Sequence, residues 1–204
     1  VDLDSLIQDC KHYKPKAQKL LYEKYAPLFK GICFRYVNNH EAVKDIVHDS
    51  FIKIFSNIGQ YSGNGSFEGW MVRILINCTL SLLRKNKGIS FQNMDDLNES
   101  LLFQENPENE SEGDGTTSSK NEVEFILSSG FSETDLLKVL DLIPEKYRVV
   151  FNLHCLEKYP HEEIAKILEI DVATSRVRLM RARQMIKKEL YSLSLTKQRN
   201  ANGL

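Results

Sequence analysis

Sixteen consecutive residues, Glu105 to Lys120 (ENPENESEGDGTTSSK), contain no apolar side chain. A stretch with nothing to bury cannot offset the entropy lost on ordering. Compact domains rarely carry structureless loops beyond ~12–15 residues. Residues 89–133 are therefore read as an acidic flexible linker, with a short helix at Glu122–Ser128. The chain then divides into two small domains, 1–88 and 134–194, and a tail at 195–204. The alternative is a long surface loop within one domain.

Charge divides at the same places. Residues 1–88 hold 13 Lys/Arg against 8 Asp/Glu, residues 89–134 hold 1 against 11, and residues 135–204 hold 13 against 9. The net charge of −1 conceals two basic blocks around an acidic one, a distribution compatible with nucleic-acid binding.

Several classes fall away. The hydrophobic share, 42%, excludes a wholly disordered chain. The longest apolar run, Ile74 to Leu83, is too short for a membrane span and includes Asn77, Thr79 and Ser81. No basic stretch followed by an apolar run opens the sequence, so no secretory signal is expected. Cys10, Cys33, Cys78 and Cys155 form no CxxC, which argues against a disulfide scaffold or zinc ribbon and predicts a cytoplasmic protein. Cys33 and Cys78 fall on apolar stripes and are expected in the core. Neither Cys10 with His12 nor His154 with Cys155 has a second pair at zinc spacing. HExxH, P-loop, GxGxxG and GxSxG patterns are all missing. Neither catalysis nor a cofactor is expected.

Both flanking blocks read as helical, so the predicted fold is all-α. A short helix is placed near Asp4–His12. Leu20, Leu21, Tyr25, Leu28, Phe29, Ile32 and Tyr36 recur at helical spacing, with Pro27 starting a new turn or kinking the helix. After Asn38-Asn39, Val43, Ile46, Val47, Phe51, Ile54, Phe55 and Ile58 repeat the pattern. A Gly-rich loop precedes Ser66, a good N-cap for a third helix to about Lys85. The second block predicts helices at 134–142, 145–156, 161–168 and 172–191. The last two, with their three-residue break, form a helix-turn-helix pattern.

On the final helix, Val172, Ser175, Leu179, Ala182 and Ile186 share one side, the expected core face. Ala173, Thr174, Val177, Met180, Arg181, Gln184 and Lys188 lie opposite, with Arg176 and Arg178 on the flanks. Small and polar residues near the N-terminus suit base edges, and flanking arginines suit phosphates. A merely solvated basic face is the rival. The third helix carries another stripe: Trp70, Arg73, Asn77, Ser81 and Arg84 lie within about 80° of arc. Met71, Leu75, Cys78 and Leu82 are its expected core side. The stripe suits a nucleic-acid backbone with an aromatic for stacking. An ordinary amphipathic helix with a half-buried Trp is the rival.

These residues carry a resemblance. Ile143 to Leu190 resembles the fourth conserved region of the extracytoplasmic-function sigma factors, promoter-recognition subunits of bacterial RNA polymerase. The matching residues are Leu142-Ile143-Pro144-Glu145-Lys146-Tyr147-Arg148, Glu162-Glu163-Ile164-Ala165, then Thr174, Arg178, Leu179 and Arg181-Ala182-Arg183. Glu169 stands where the family usually has Gly in the turn, and Ser175 where it has an apolar residue. Gly65-Ser66-Phe67-Glu68-Gly69-Trp70, with Arg73, Ile74, Asn77 and Leu83-Arg84, is similar to the family's minus-ten segment. Asp45 to Phe51 resembles its polymerase-binding segment, with His48-Asp49 replacing the usual Gln-Glu.

The resemblance implies three sites. Asn64, Ser66, Phe67, Trp70, Arg73, Asn77 and Arg84 would act at the minus-ten element, with base capture at the loop Ser62–Phe67. Ala173, Thr174, Arg176, Val177, Arg178 and Arg181 would read the minus-thirty-five duplex. Asp45, His48 and Asp49 would touch polymerase, while Ile46, Val47 and Phe51 are core. Implied partners are core RNA polymerase, promoter DNA and an anti-sigma factor or other regulatory protein. Two other classes remain open. A one-component regulator with an N-terminal ligand or dimerisation domain shares the C-terminal features but leaves the Phe67–Arg84 stripe unexplained. A helical adaptor would bind only proteins.

Overall fold

The computed structural model describes residues 2–87 and 130–201. They belong to two compact units. The helix expected at Glu122–Ser128 lies outside the described residues. Every regular element among the described residues is helical, as the sequence pattern predicts.

The first unit holds α1 (Leu3–Lys11), α2 (Pro15–Phe34), α3 (His40–Asn57) and α4 (Phe67–Lys87). Its helices start where short polar side chains or proline allow. The Asp2 carboxylate accepts from the Ser5 N–H, and the Asn39 side-chain oxygen accepts from the Ala42 N–H. Pro15 opens α2, where its missing N–H costs nothing. Pro27 lies inside α2 and starts no new helix. It is exposed, so the ladder bond it cannot make falls on the solvent side.

Helix α3 packs against both α2 and α4, and α4 also meets α2. Phe29 and Phe51 stack between α2 and α3 with ring centroids 5.1 Å apart, and Tyr22 closes on Phe51 at 4.7 Å. Phe29 and Phe51 are fully buried, and each contributes roughly 1.5–3 kcal/mol. Two buried hydroxyls are returned to the backbone: Thr79 donates to the Leu75 carbonyl and Ser50 to that of Ile46. Cys33 and Cys78 are core residues, as expected. Burial pushes the Cys33 thiol up to about 12, so it stays protonated.

The second unit holds α5 (Glu133–Leu142), α6 (Glu145–Phe151), α7 (His161–Leu168) and α8 (Val172–Ala201). Ser132 and Asp135 cap α5 reciprocally, each side chain accepting from the other's backbone N–H. Helix α6 continues as a π-helical stretch, Asn152–Leu156, before the chain turns at Lys158. Ile143 and Tyr147 pack on Ala182, joining α6 to α8.

The tail expected from Leu195 onward is instead helical to Ala201. Polar composition hides this extension from hydrophobic periodicity. The Thr196 hydroxyl donates to the Ser192 carbonyl, and Lys197 pairs with Asp135 at 2.8 Å and donates to the Gly130 carbonyl at 3.0 Å. Lys197 and the capping bonds from Ser132 hold the Asp135 carboxyl below its ordinary range.

Candidate nucleic-acid interface

Helix α4 buries most of its circumference. Phe67, Met71, Leu75, Ile76, Cys78, Thr79, Leu80 and Leu83 all lie inside. Arg73, Asn77, Ser81 and Arg84 are exposed, and Trp70 is half-buried beside them. Along the middle of the helix the water-facing residues form one polar strip, consistent with their shared arc, with Glu68 and Lys85 exposed at its two ends. The Ser81 hydroxyl donates to the Asn77 carbonyl. Arg73 and Asn77 point their polar ends from a helix anchored on two sides, so little backbone ordering accompanies contact with a partner.

The loop before α4 is shaped by two left-handed glycines, Gly63 at φ 84° and Gly65 at φ 87°, where any other side chain is strained. Ser66 caps α4 by accepting from the Gly69 N–H at 3.0 Å, as its position predicts. Tyr61, Phe67 and Trp70 form an aromatic cluster. Phe67 and Trp70 stack at 5.6 Å, and Tyr61 meets Phe67 edge-on at 5.0 Å and Trp70 at 5.6 Å. Phe67 is only 3% exposed. Its place at the minus-ten surface is therefore corrected: Phe67 is the inner support of Trp70. Asn64 and Ser66 are exposed.

In the second unit, α7 and α8 meet through a left-handed Glu169 at φ 56°, at the position the family fills with Gly. The missing glycine costs about 1 kcal/mol. Ser175 is fully buried, and its hydroxyl lies 2.8 Å from His161 Nδ1. The His161 ring stacks on His154 at 4.3 Å, and His154 Nδ1 contacts the Tyr159 carbonyl. A polar interlock thus occupies a site where an apolar residue is expected. Burial, then the His154 and Arg176 charges, depress the His161 pKa.

The arginines of α8 divide unexpectedly. Arg176 is exposed, with only a loose 3.9 Å pair to Glu162. Arg178 is 1% exposed and Arg181 7%. Arg181 donates to the Tyr147 hydroxyl at 3.2 Å and lies over the Tyr147 ring. These two positions are corrected: they belong to the packed side, and their charges do not face solvent. Ala173, Arg183 and Gln184 are exposed, while Thr174, Val177 and Met180 are half-buried. The open face is centred between Arg176 and Ala173.

On α3, Asp45, His48 and Asp49 are exposed, with Ile46, Val47 and Phe51 buried behind them. Ile52 stands on the same outer face, 52% exposed. The four share about 100° of arc.

Comparisons with known proteins place these elements. The family model described as sigma-70 region 2 matches residues 21–89, and that described as sigma-70, region 4 matches residues 133–186. The ECF RNA polymerase sigma-E factor of Haemophilus influenzae is 29% identical over 189 residues, 93% of this chain and 95% of that protein. The ECF RNA polymerase sigma factor SigW of Bacillus subtilis is 29% identical over 162 residues, 79% of this chain and 82% of that protein. The chain belongs to the extracytoplasmic-function sigma factors. A solved sigma factor, RpoE of Bartonella quintana in complex with the anti-sigma factor NepR, shares the fold. Its TM-score is 0.51 at 18% identity, covering 84% of this chain and 95% of that one.

As a sigma factor the protein acts in transcription initiation, and such factors are not enzymes. The region 2 match includes α3, the glycine loop and α4, and the region 4 match runs from α5 into α8. No described helix is long and apolar enough to cross a membrane. Three residues beside these faces stand outside the expected sites: the exposed Arg183 and Ile52, and Tyr61 in the aromatic cluster. Ile52 had a legible signal: it is an apolar residue out of phase with Val47, Phe51 and Ile54. Helical rotation alone favours Arg181 over Arg183 for the outer face.

Proposed function

We propose that this sigma factor binds core RNA polymerase in the cytoplasm and reads promoter DNA by two different chemistries, with no catalytic residue of its own. The observation that carries the reading is the polar strip on α4. A helix buried on its other sides leaves Arg73, Asn77, Ser81 and Arg84 in water, bordered by Trp70. Arginines suit phosphates, and an aromatic edge suits an unstacked base. Asn64 and Ser66 in the adjoining loop are the proposed contacts to that base. Duplex reading falls to Ala173, Thr174, Arg176 and Val177, joined by Arg183. Their small side chains and flanking charges fit a major groove. Arg178 and Arg181 support this helix from behind.

Asp45, His48, Asp49 and Ile52 form the proposed polymerase contact, a polar face with one apolar anchor. Asp49→Ala weakens affinity for core while leaving thermal unfolding unchanged, and wild-type affinity refutes the assignment. The Bartonella quintana neighbour was solved with an anti-sigma factor. We extend that class of partner to this chain.

Run-off transcription with core enzyme, with and without the chain, tests the whole. Promoter-specific product appears only when the chain is present. Equal product in both reactions overturns the proposal. A one-component regulator would instead bind its operator without polymerase.

A further inference from the structure

We propose that Tyr61 and Lys11 are positioning residues that hold the glycine loop in its base-reading shape. The inference rests on the proposed role of the loop Ser62–Ser66 at melted DNA. One residue, Tyr61, fixes that loop at both ends. Its hydroxyl donates to the Gly65 carbonyl at 2.8 Å, closing the loop across its mouth. Its own carbonyl accepts from Lys11 Nζ at 3.0 Å, a part-buried bond reaching fifty residues back along the chain. Its ring packs against both Phe67 and Trp70. Loop closure, aromatic support and the tie to α1 therefore converge on a single side chain and its backbone.

The physical need is clear from the loop itself. Gly63 and Gly65 adopt left-handed backbone with open space around each. Glycine pays the largest ordering entropy of any residue, so two in five positions leave the loop with many competing shapes. A pocket that discriminates bases requires one shape before the base arrives. The Tyr61 hydroxyl selects it at the loop's far end. Lys11 fixes the near end through a charge-assisted bond to a carbonyl. In this way α1, outside the matched region 2 segment of 21–89, contributes to promoter reading.

The test uses holoenzyme assembled from the full chain and core polymerase. The probe is a pool of pre-melted promoter fragments randomised over the minus-ten element. Heparin-resistant complexes are sequenced, and base enrichment at each position is the readout. Tyr61→Phe keeps the ring and removes only the loop-closing bond. It reduces enrichment at the captured position about fivefold, the worth of one such hydrogen bond, with preferences elsewhere unchanged. Lys11→Met keeps the apolar stem and gives a reduction of the same kind. A merely structural role would lower melting temperature and total binding without altering base preference. Should Tyr61→Phe lower the melting temperature, Lys11→Met decides. Wild-type enrichment in both variants, beside a lost preference in Asn64→Ala, overturns this inference alone. Wild-type enrichment in Asn64→Ala and Trp70→Ala as well overturns the reading of the loop on which it rests.

Discussion

The two helices proposed to meet DNA dispose of their arginines in opposite ways. Helix α4 keeps Arg73 and Arg84 in water and buries apolar groups and one threonine. Helix α8 keeps Arg176 and Arg183 outside but draws Arg178 and Arg181 within. The cause lies in what each helix packs against. The neighbours α2 and α3 offer α4 aromatic and aliphatic surfaces. The α6 helix offers α8 a tyrosine whose ring and hydroxyl both receive a guanidinium. Arginine density in a sequence is thus a poor measure of interface. A guanidinium can be structural, because its planar face packs like an aromatic while its edges satisfy hydrogen bonds.

The largest test of this contrast is thermodynamic. Arg178→Ala empties a site that is 1% exposed and destabilises the second unit by about 2–5 kcal/mol, as other large-to-alanine core changes do. Arg84→Ala stays within about 0.5 kcal/mol of wild type, as surface substitutions do. Urea unfolding of the two full-length variants measures both. Equal stability would erase the distinction between the helices.

The second test separates the kinds of DNA. Trp70→Ala removes a stacking surface worth about 1–3 kcal/mol per base, and Arg176→Ala removes duplex contacts of about the same size. A pre-melted template rescues part of the Trp70→Ala defect and leaves the Arg176→Ala defect. Asn77→Ala behaves as a milder Trp70→Ala. Permanganate reactivity of thymines in closed and pre-melted templates checks this. Identical behaviour of the two classes means that the α4 strip is misassigned.

Smaller effects sharpen the picture of the second unit. Glu169→Gly relieves the left-handed strain and stabilises by about 1 kcal/mol, read as a raised melting temperature. An unchanged melting temperature shows that the turn absorbs the side chain without cost. The smallest effect is pH dependence through His161. Its folded pKa lies below the ordinary value near 6.5, so the unfolded state takes up the proton first on acidification. The contribution of neutral His161 is complete above that pH and declines as pH falls through it towards the folded value. His161→Asn flattens this slope as pH falls below the ordinary histidine value of about 6.5, and an equal slope in the variant refutes the assignment.

Much of the architecture was legible because it follows local rules. The all-helical fold, the Ser66 cap and the polar arc from Trp70 to Arg84 each rest on spacing within one helix. The misjudged residues depend on neighbours distant in sequence. Phe67 and Trp70 are three apart on one helix start, and only Tyr61 and the loop determine which turns inward. Arg181 looks like a surface charge until Tyr147 is placed behind it, and Arg178 is buried on the same helix. The last ten residues of α8 look like a polar tail. Their helix is braced by Lys197 reaching Asp135, a partner 62 positions earlier, which hydrophobic periodicity cannot register. The faces of α3 and α8 carry the same lesson in reverse, since Ile52 and Arg183 are exposed where their neighbours are packed.

The Lys197 anchorage also has a mechanical meaning. Its ammonium pairs with Asp135, takes the Gly130 carbonyl and lies 5.0 Å from the centroid of the Phe131 ring. One side chain near the end of the last helix thus grips the chain just before α5. A pull on the backbone at Gly130 meets this clamp before it can peel α5 from its neighbours. The load passes sideways into a thirty-residue helix, in the manner of a strain relief on a cable.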